Sequence, residues 1–316
     1  MFINVLILLA LLALVFGFGW LARRAWLGKN GFVKWAGSIL SGLLMLVLSA
    51  VSITAMLGMY KFYNPKHNPA PELQVEGTPE QIARGEHLAG AFCASCHSTT
   101  GDLPMSGGVD LANDIPINLG SFVSSNLTPA GPLQNYTDGE IFRALRENVN
   151  EDGERLVMMG LINVRNISDE DMKAIIAYLR NQEAVENDTP NPPDNANFTA
   201  LLLFGAGLFT DQELIAGEVI APEKAATVEY GEFMISYLDC STCHGADLSG
   251  GTDPMGPQGP SLRVVKDWTE EEFITTLRTG VNPIGDELGG LMPWKATGRL
   301  DDEELGALYK YLTSLP

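Results

Sequence analysis

Met1 to Ala22 is an uncharged, largely apolar run, and Trp35 to Tyr60 is a second. A helix needs roughly 20 apolar residues to cross the hydrocarbon of a bilayer, so each run is long enough to span it. Trp20, Trp26 and Trp35 stand near the ends of the runs, where interfacial aromatics collect. Beyond Lys61 the pattern changes. Ile175, Ile176 and Leu179, and later Leu305, Leu308 and Leu312, recur at helical spacing, and few stretches alternate as strands do. The fold class this predicts is all-α, with an N-terminal two-helix transmembrane hairpin over residues 1–61 followed by helical domains.

The link between the two runs carries Arg23, Arg24, Lys29 and Lys34. The positive-inside rule puts that link in the cytoplasm, so the N-terminus and everything after Tyr60 face the outside. The first run lacks the basic n-region and small-residue cleavage site of a signal peptide, which favours a retained helix.

The part after the hairpin repeats itself, a sign of two related units. Ala83-Arg84-Gly85-Glu86 is echoed by Glu229-Tyr230-Gly231-Glu232, and Asp102-Leu103 with Gly107-Gly108 by Asp247-Leu248 with Gly250-Gly251. Thr137-Asp138-Gly139-Glu140 and Thr269-Glu270-Glu271-Glu272 both read as capping boxes, in which Thr and Glu satisfy orphan helix amides. Leu145-Arg146 and Val149-Asn150 match Leu277-Arg278 and Val281-Asn282, and acidic helix starts at Ser168–Asp171 and Asp301–Glu304 open the last helix of each unit. Gly85 and Gly231 sit inside helices, where glycine costs about 1 kcal/mol relative to alanine. Close approach to the closing helices, at Tyr178 and Tyr311, accounts for that cost. The expected domains are 1–61, 62–187, a linker over 188–226, and 227–316. Residues 183–198, across the start of that linker, are rich in Asn, Pro and Asp. Ala200 to Phe209 is apolar and is expected to pack over a cofactor edge or against another subunit rather than to re-enter the membrane.

Charge narrows the function. Residues 1–61 hold five basic side chains and no acid, so the other 255 residues carry 15 basic and 39 acidic ones. Such a surface excludes nucleic acid, which demands basic patches. It reads either as a solubilising face or as a field that steers a basic redox partner, such as a basic cytochrome or copper protein.

All four cysteines lie in two motifs, Cys93-Ala94-Ser95-Cys96-His97 and Cys240-Ser241-Thr242-Cys243-His244. No thiol is left for a structural disulfide. Cys-x-x-Cys-His is the attachment signature of c-type haem, so two covalently bound haem c groups are expected, with His97 and His244 as proximal iron ligands. A thioredoxin-like pair would sit near a βαβ pattern, and a zinc site would need more Cys or His nearby. Thioether ligation on the opposite side raises the potential and suits electron transfer. Met292, followed by Pro293, is the candidate in the second unit. Met159 leads in the first, with Met158 and Met105 as alternatives, and Met255 is the alternative in the second. His67 and His87 read as surface or packing histidines. Arg146 and Arg278 read equally as partners of haem propionates or as solvated helix faces.

With these motifs the chain resembles tandem class I cytochromes c, over residues 78–182 and 228–315. The first unit is similar to cytochrome subunits of membrane-bound bacterial dehydrogenases, through Ser125-Asn126-Leu127-Thr128-Pro129, Tyr136-Thr137-Asp138-Gly139-Glu140 and Ser168-Asp169-Glu170-Asp171. The resemblance implies that a Gly-Pro-x-Leu segment offers its proline carbonyl to the proximal imidazole, a contact that fixes the ring and raises its basicity. Gly259-Pro260-Ser261-Leu262 matches, which assigns that role to Pro260. The first unit departs with Ser124-Ser125-Asn126-Leu127, which leaves it to the Ser125 carbonyl.

The expected function is electron relay by a dihaem subunit of a membrane electron-transport complex, respiratory or photosynthetic. It would take electrons from a quinol-oxidising complex or dehydrogenase and pass them to an extracytoplasmic acceptor or terminal oxidase. Its partners would be other subunits of that complex. The alternatives are a dihaem subunit of a haem–copper oxidase and, as an enzyme, a dihaem peroxidase. A haem sensor would need an output domain for which no residues are left.

Overall fold

The computed structural model describes residues 1–209, 212–251 and 257–316, apart from the side chain of Asp114. Two helices, α1 (Phe2–Trp26) and α2 (Ser38–Tyr63), pack side by side, and a π-helical turn over Val33–Gly37 extends α2 backwards. Both are long and apolar enough to cross a membrane, and their apolar side chains lie largely exposed. Trp26 and Trp35 meet edge to face where the two helices join.

The rest is mostly helical. The first repeat holds α3 (Pro79–Phe92), α4 (Ala94–His97), α5 (Asp138–Glu147) and α6 (Asp169–Asn181). The connector adds α7 (Phe198–Ala206). The second repeat holds α8 (Val228–Ile235), α9 (Cys240–His244), α10 (Glu270–Thr279), α11 (Trp294–Thr297) and α12 (Asp302–Ser314). The one departure from all-α among the described residues is a two-stranded antiparallel sheet, in which β1 (Gly120–Phe122) pairs with β2 (Asp194–Ala196).

The helix starts follow their sequence signals. Thr137 with Glu140, Thr269 with Glu272 and Asp301 with Glu304 each form a reciprocal capping box, and Ser168 accepts from the Asp171 amide. At the other end of α5 the chain turns through Asn148 in the left-handed conformation, where α10 uses Gly280. Asparagine tolerates that region better than other non-glycine residues.

In each repeat the first helix crosses the last. A Cβ on Gly85 would collide with the Ala174 carbonyl and lie 2.8 Å from the Tyr178 Cβ, and one on Gly231 would do the same at Ala307 and Tyr311. Only glycine lets α3 reach α6, and α8 reach α12, this closely. Ile175, Ile176, Leu305 and Leu308 are buried there, in a single core that runs through both repeats.

Two expectations need correction. The Asn- and Asp-rich stretch after α6 is not a loose linker. Asn126 donates to the Val185 and Asn187 carbonyls, Asn187 donates to the Ser106 carbonyl, and β2 completes the sheet. Its polar side chains lace it to the first repeat. Nor does Ala200 to Phe209 line the cavity beside the first Cys-x-x-Cys-His motif. Its helix, α7, packs on α2, where Gly58 and Gly205 remove the side chains that would hold the two backbones apart.

Candidate haem-attachment sites

Each Cys-x-x-Cys-His motif coils into a short helix just after the first helix of its repeat. His97 Nδ1 donates to the Ser125 carbonyl at 2.9 Å, and His244 Nδ1 donates to the Pro260 carbonyl at 2.6 Å. A carbonyl can only accept, so Nδ1 carries the proton in both rings and Nε2 is left as the donor atom for a metal. Ser125 therefore makes the same contact as Pro260, although it lacks the proline. Burial lowers the pKa of His97, against the pull of the Ser125 carbonyl.

Small residues make room for these contacts. A Cβ on Gly259 would fall 2.7 Å from His244 Nδ1. In the first repeat Gly107, at φ 70°, lets the chain pass against Ser125 and Asn126. The amide of Gly107 donates to the His97 carbonyl, and that of Gly250 to the His244 carbonyl.

A hairpin after the capped helix is also repeated. After α5 a tight hairpin pairs Val149 with Arg155, and after α10 an equivalent one pairs Val281 with Glu287. Asn150 Oδ1 accepts from the Asp152 and Glu154 amides, and Asn282 Oδ1 from those of Ile284 and Asp286. The hairpins set down Met158 and Met159 in one repeat and Met292 in the other. In the first repeat they close a mostly apolar cavity of about 210 Å³, lined by Cys93, Cys96, His97, Ser125, Met158 and Met159 among others. Met105 is fully buried in the core and does not line that cavity. Met292 is half-buried against the core, between exposed Leu291 and Pro293. Met255 lies outside the described residues.

This donor set fits covalently held haem c. In the first repeat two thiols and an oriented imidazole line one apolar cavity together with Met158 and Met159. Burial pushes the Cys93 and Cys240 thiols up to about 12, whereas a reactive redox thiol has a depressed pKa. Zinc fits poorly. Among the described residues, the only His, Cys and carboxylate groups that converge in threes are His87, Asp301 and Glu304. The Arg84 and Lys224 cations already occupy that cluster.

Arg146 and Arg278 are neither free nor aimed at a cofactor. Arg146 donates to the Arg165 and Ile167 carbonyls and pairs with Asp169 at 2.5 Å. Arg278 bonds the Gly298 carbonyl and pairs with Asp302 at 3.0 Å. Each ties α5 or α10 to the start of its closing helix. His87 is a packing histidine, 2.6 Å from the Glu304 carboxylate, and His67 lies against Gly153.

Several contacts between the repeats carried no sequence signal. Phe92, on the first cavity wall, meets Tyr237 edge to face at 5.5 Å. Asp239, just before Cys240, accepts from the Asn163 amide at 2.9 Å and from its side chain at 2.5 Å. The attachment segments of the two repeats thus face each other.

Known proteins agree with this geometry. Residues 82–183 match the family model of cytochrome c, and residues 233–312 match that of cytochrome C oxidase, cbb3-type, subunit III. The gluconate 2-dehydrogenase cytochrome c subunit of Pantoea cypripedii is 27% identical over 270 residues, covering 74% of this chain and 59% of the relative. The cytochrome c subunit of alcohol dehydrogenase (quinone) from Gluconobacter oxydans is 26% identical, with 74% and 55% covered. A nicotinate dehydrogenase subunit of Pseudomonas putida is 28% identical, with 74% of this chain but only 21% of the relative covered. The chain thus matches little more than half the length of the first two and a fifth of the third.

Proposed function

Because the chain carries cytochrome c domains and is related to cytochrome c subunits of dehydrogenases, we propose that it is a membrane-anchored electron relay with two haem c groups. One group would be held by Cys93, Cys96, His97 and Met159, the other by Cys240, Cys243, His244 and Met292. The domains run over 62–187 and 227–316, joined by 188–226. Haem c supplies a reversible one-electron change at its iron.

The observation that carries this reading is the repeated imidazole contact, Ser125 to His97 and Pro260 to His244. Each carbonyl holds its ring in one tautomer and orientation. Met159 and Met292 would each supply a second protein donor to its group, which would leave no position for exogenous ligands and favour electron transfer over bond chemistry. Phe92 and Tyr237 meet edge to face between the attachment segments.

The hairpin of residues 1–61 anchors the chain in the cytoplasmic membrane, with its basic link inside and both haem domains outside. The donor is a dehydrogenase or quinol-oxidising subunit, and the acceptor an extracytoplasmic redox protein or terminal oxidase. A basic acceptor suits the acidic surface. The match of residues 233–312 to an oxidase subunit model supports a second reading, a dihaem subunit of a haem–copper oxidase.

Two measurements separate the readings. The purified, reduced chain is expected to bind neither carbon monoxide nor cyanide at low concentration, and tight binding of either would favour a peroxidase-like enzyme. Purification in mild detergent is expected to bring down a dehydrogenase subunit. A copper-containing oxidase subunit in its place would establish the second reading.

A further inference from the structure

We infer that α7 and the turn after it, Gly207–Phe209, are immersed in the outer leaflet of the membrane as a third membrane element. This rests on the reading of α1 and α2 as membrane-spanning.

The direction of α7 carries the inference. Leu201 lies against Gly58, and Gly205, four residues later, lies against Thr54, four residues earlier. The two helices are antiparallel, so α7 descends alongside α2 towards the bilayer centre. Asn4, near the start of α1, donates to the Ala196 carbonyl just before α7 begins. The entry to α7 is therefore level with the outer end of the hairpin. Tyr60, Lys61 and Tyr63 mark that level on α2, as interfacial aromatic and basic residues do. Thr54 is six residues below Tyr60, about 9 Å at 1.5 Å per residue. Ala206 to Phe209 continue beyond Gly205.

The chemistry suits that depth. No charged side chain occurs from Phe198 to Phe209. The helix ends on Gly207 in the left-handed conformation, whose amide donates to the Leu203 and Phe204 carbonyls. The Leu208 amide donates to the Leu203 carbonyl, and Lys61 Nζ reaches down to the Phe204 carbonyl at 3.3 Å. Pairing backbone groups internally is what hydrocarbon requires. Leu208 is nonetheless 65% exposed. The α2 helix on which α7 packs likewise leaves apolar side chains uncovered, so the occupant is lipid acyl chain.

The consequence is positional. The inner face of α7 carries Leu201 and Phe204 in a cluster with Phe62 and Phe122, and Met158 packs on that cluster. Phe122 and Met158 also line the first cavity. Immersion of α7 therefore seats the first haem site directly above the membrane surface.

The test is a nitroxide label on Leu208→Cys in the full chain, reduced and reconstituted in phosphatidylcholine vesicles. Collision rates with oxygen and with a water-soluble nickel chelate are compared. Ala206→Cys replaces it if haem loading of the first variant falls. Oxygen several-fold above the chelate is the expected result. A chelate rate above oxygen places the turn in water, and low rates with both place it under a protein partner; either result overturns the inference. A label on Leu46→Cys, in the middle of α2, reports the hairpin itself. Water at Leu46 would refute the membrane anchor, whereas oxygen at Leu46 with water at Leu208 refutes the immersed α7 alone.

Discussion

Arg84 donates through Nη1 to the carboxylate of Glu304, 2.6 Å away, and joins α3 of the first repeat to α12 of the second. The Glu304 side chain is fully buried, and His87 binds its other oxygen at 2.6 Å. Arg84 also pairs with Asp171 of α6 at 2.8 Å. One carboxylate thus caps its own helix, receives two donors from the other repeat, and sets how the two cytochrome domains meet.

Glu304→Ala leaves Arg84, which is partly exposed and still paired with Asp171, without its second carboxylate. Losing a hydrogen bond to a charged group costs about 1.5–3 kcal/mol, and denaturant unfolding is expected to show a loss of that order. Burial alone would raise the Glu304 pKa, but His87 and Arg84 overcome it and hold the group at about 2. The folded value lies below the ordinary 4.5. Its contribution to stability is therefore complete above about pH 4.5 and is lost as pH falls towards 2. Glu304→Gln is expected to remove that part of the acid dependence in a pH series of unfolding curves.

Gly259→Ala places a methyl group 2.7 Å from His244 Nδ1. The ring must tilt away from the Pro260 carbonyl. The expected outcome is a shifted potential and weakened ligation at the second haem, with the first unchanged, read by redox titration of the variant.

The methionines divide the first site. Met159→Ala is expected to open the first iron to imidazole, whereas Met158→Ala, whose side chain packs on the Phe62–Phe204 cluster, mainly loosens that packing. Met292→Ala is expected to do at the second haem what Met159→Ala does at the first. Optical titration with imidazole checks all three, and a Met158→Ala chain that binds imidazole as Met159→Ala should would exchange the two assignments.

Asp239 grips Asn163, four residues beyond Met159, although it adjoins Cys240 in sequence. Asp239→Ala is therefore expected to disturb the first haem more than the second. Imidazole affinity at each iron measures the difference.

Much of this was legible in the sequence. The attachment motifs, the capping boxes and the two helix glycines are local signals, and each acts through neighbours a few residues away or through one close crossing. The misread residues act over distance. Arg146 shows only a basic side chain near a helix end, and nothing local reveals that Asp169 and two carbonyls await it. Glu304 is legible as a capping residue but not as a fully buried one, because its burial comes from the opposite repeat. The apolar connector had no local feature to choose among a cofactor, a subunit and the membrane. The contact with α2 depends on Gly205, whose missing side chain brings α7 against Thr54.

The proposed relay holds two haems that each exchange one electron. A spectroelectrochemical titration of the detergent-solubilised full chain tests it most directly. Two one-electron components, two electrons per chain in total and fully reversible, are the predicted result. A total of one electron per chain, or a component that does not reoxidise, would contradict it.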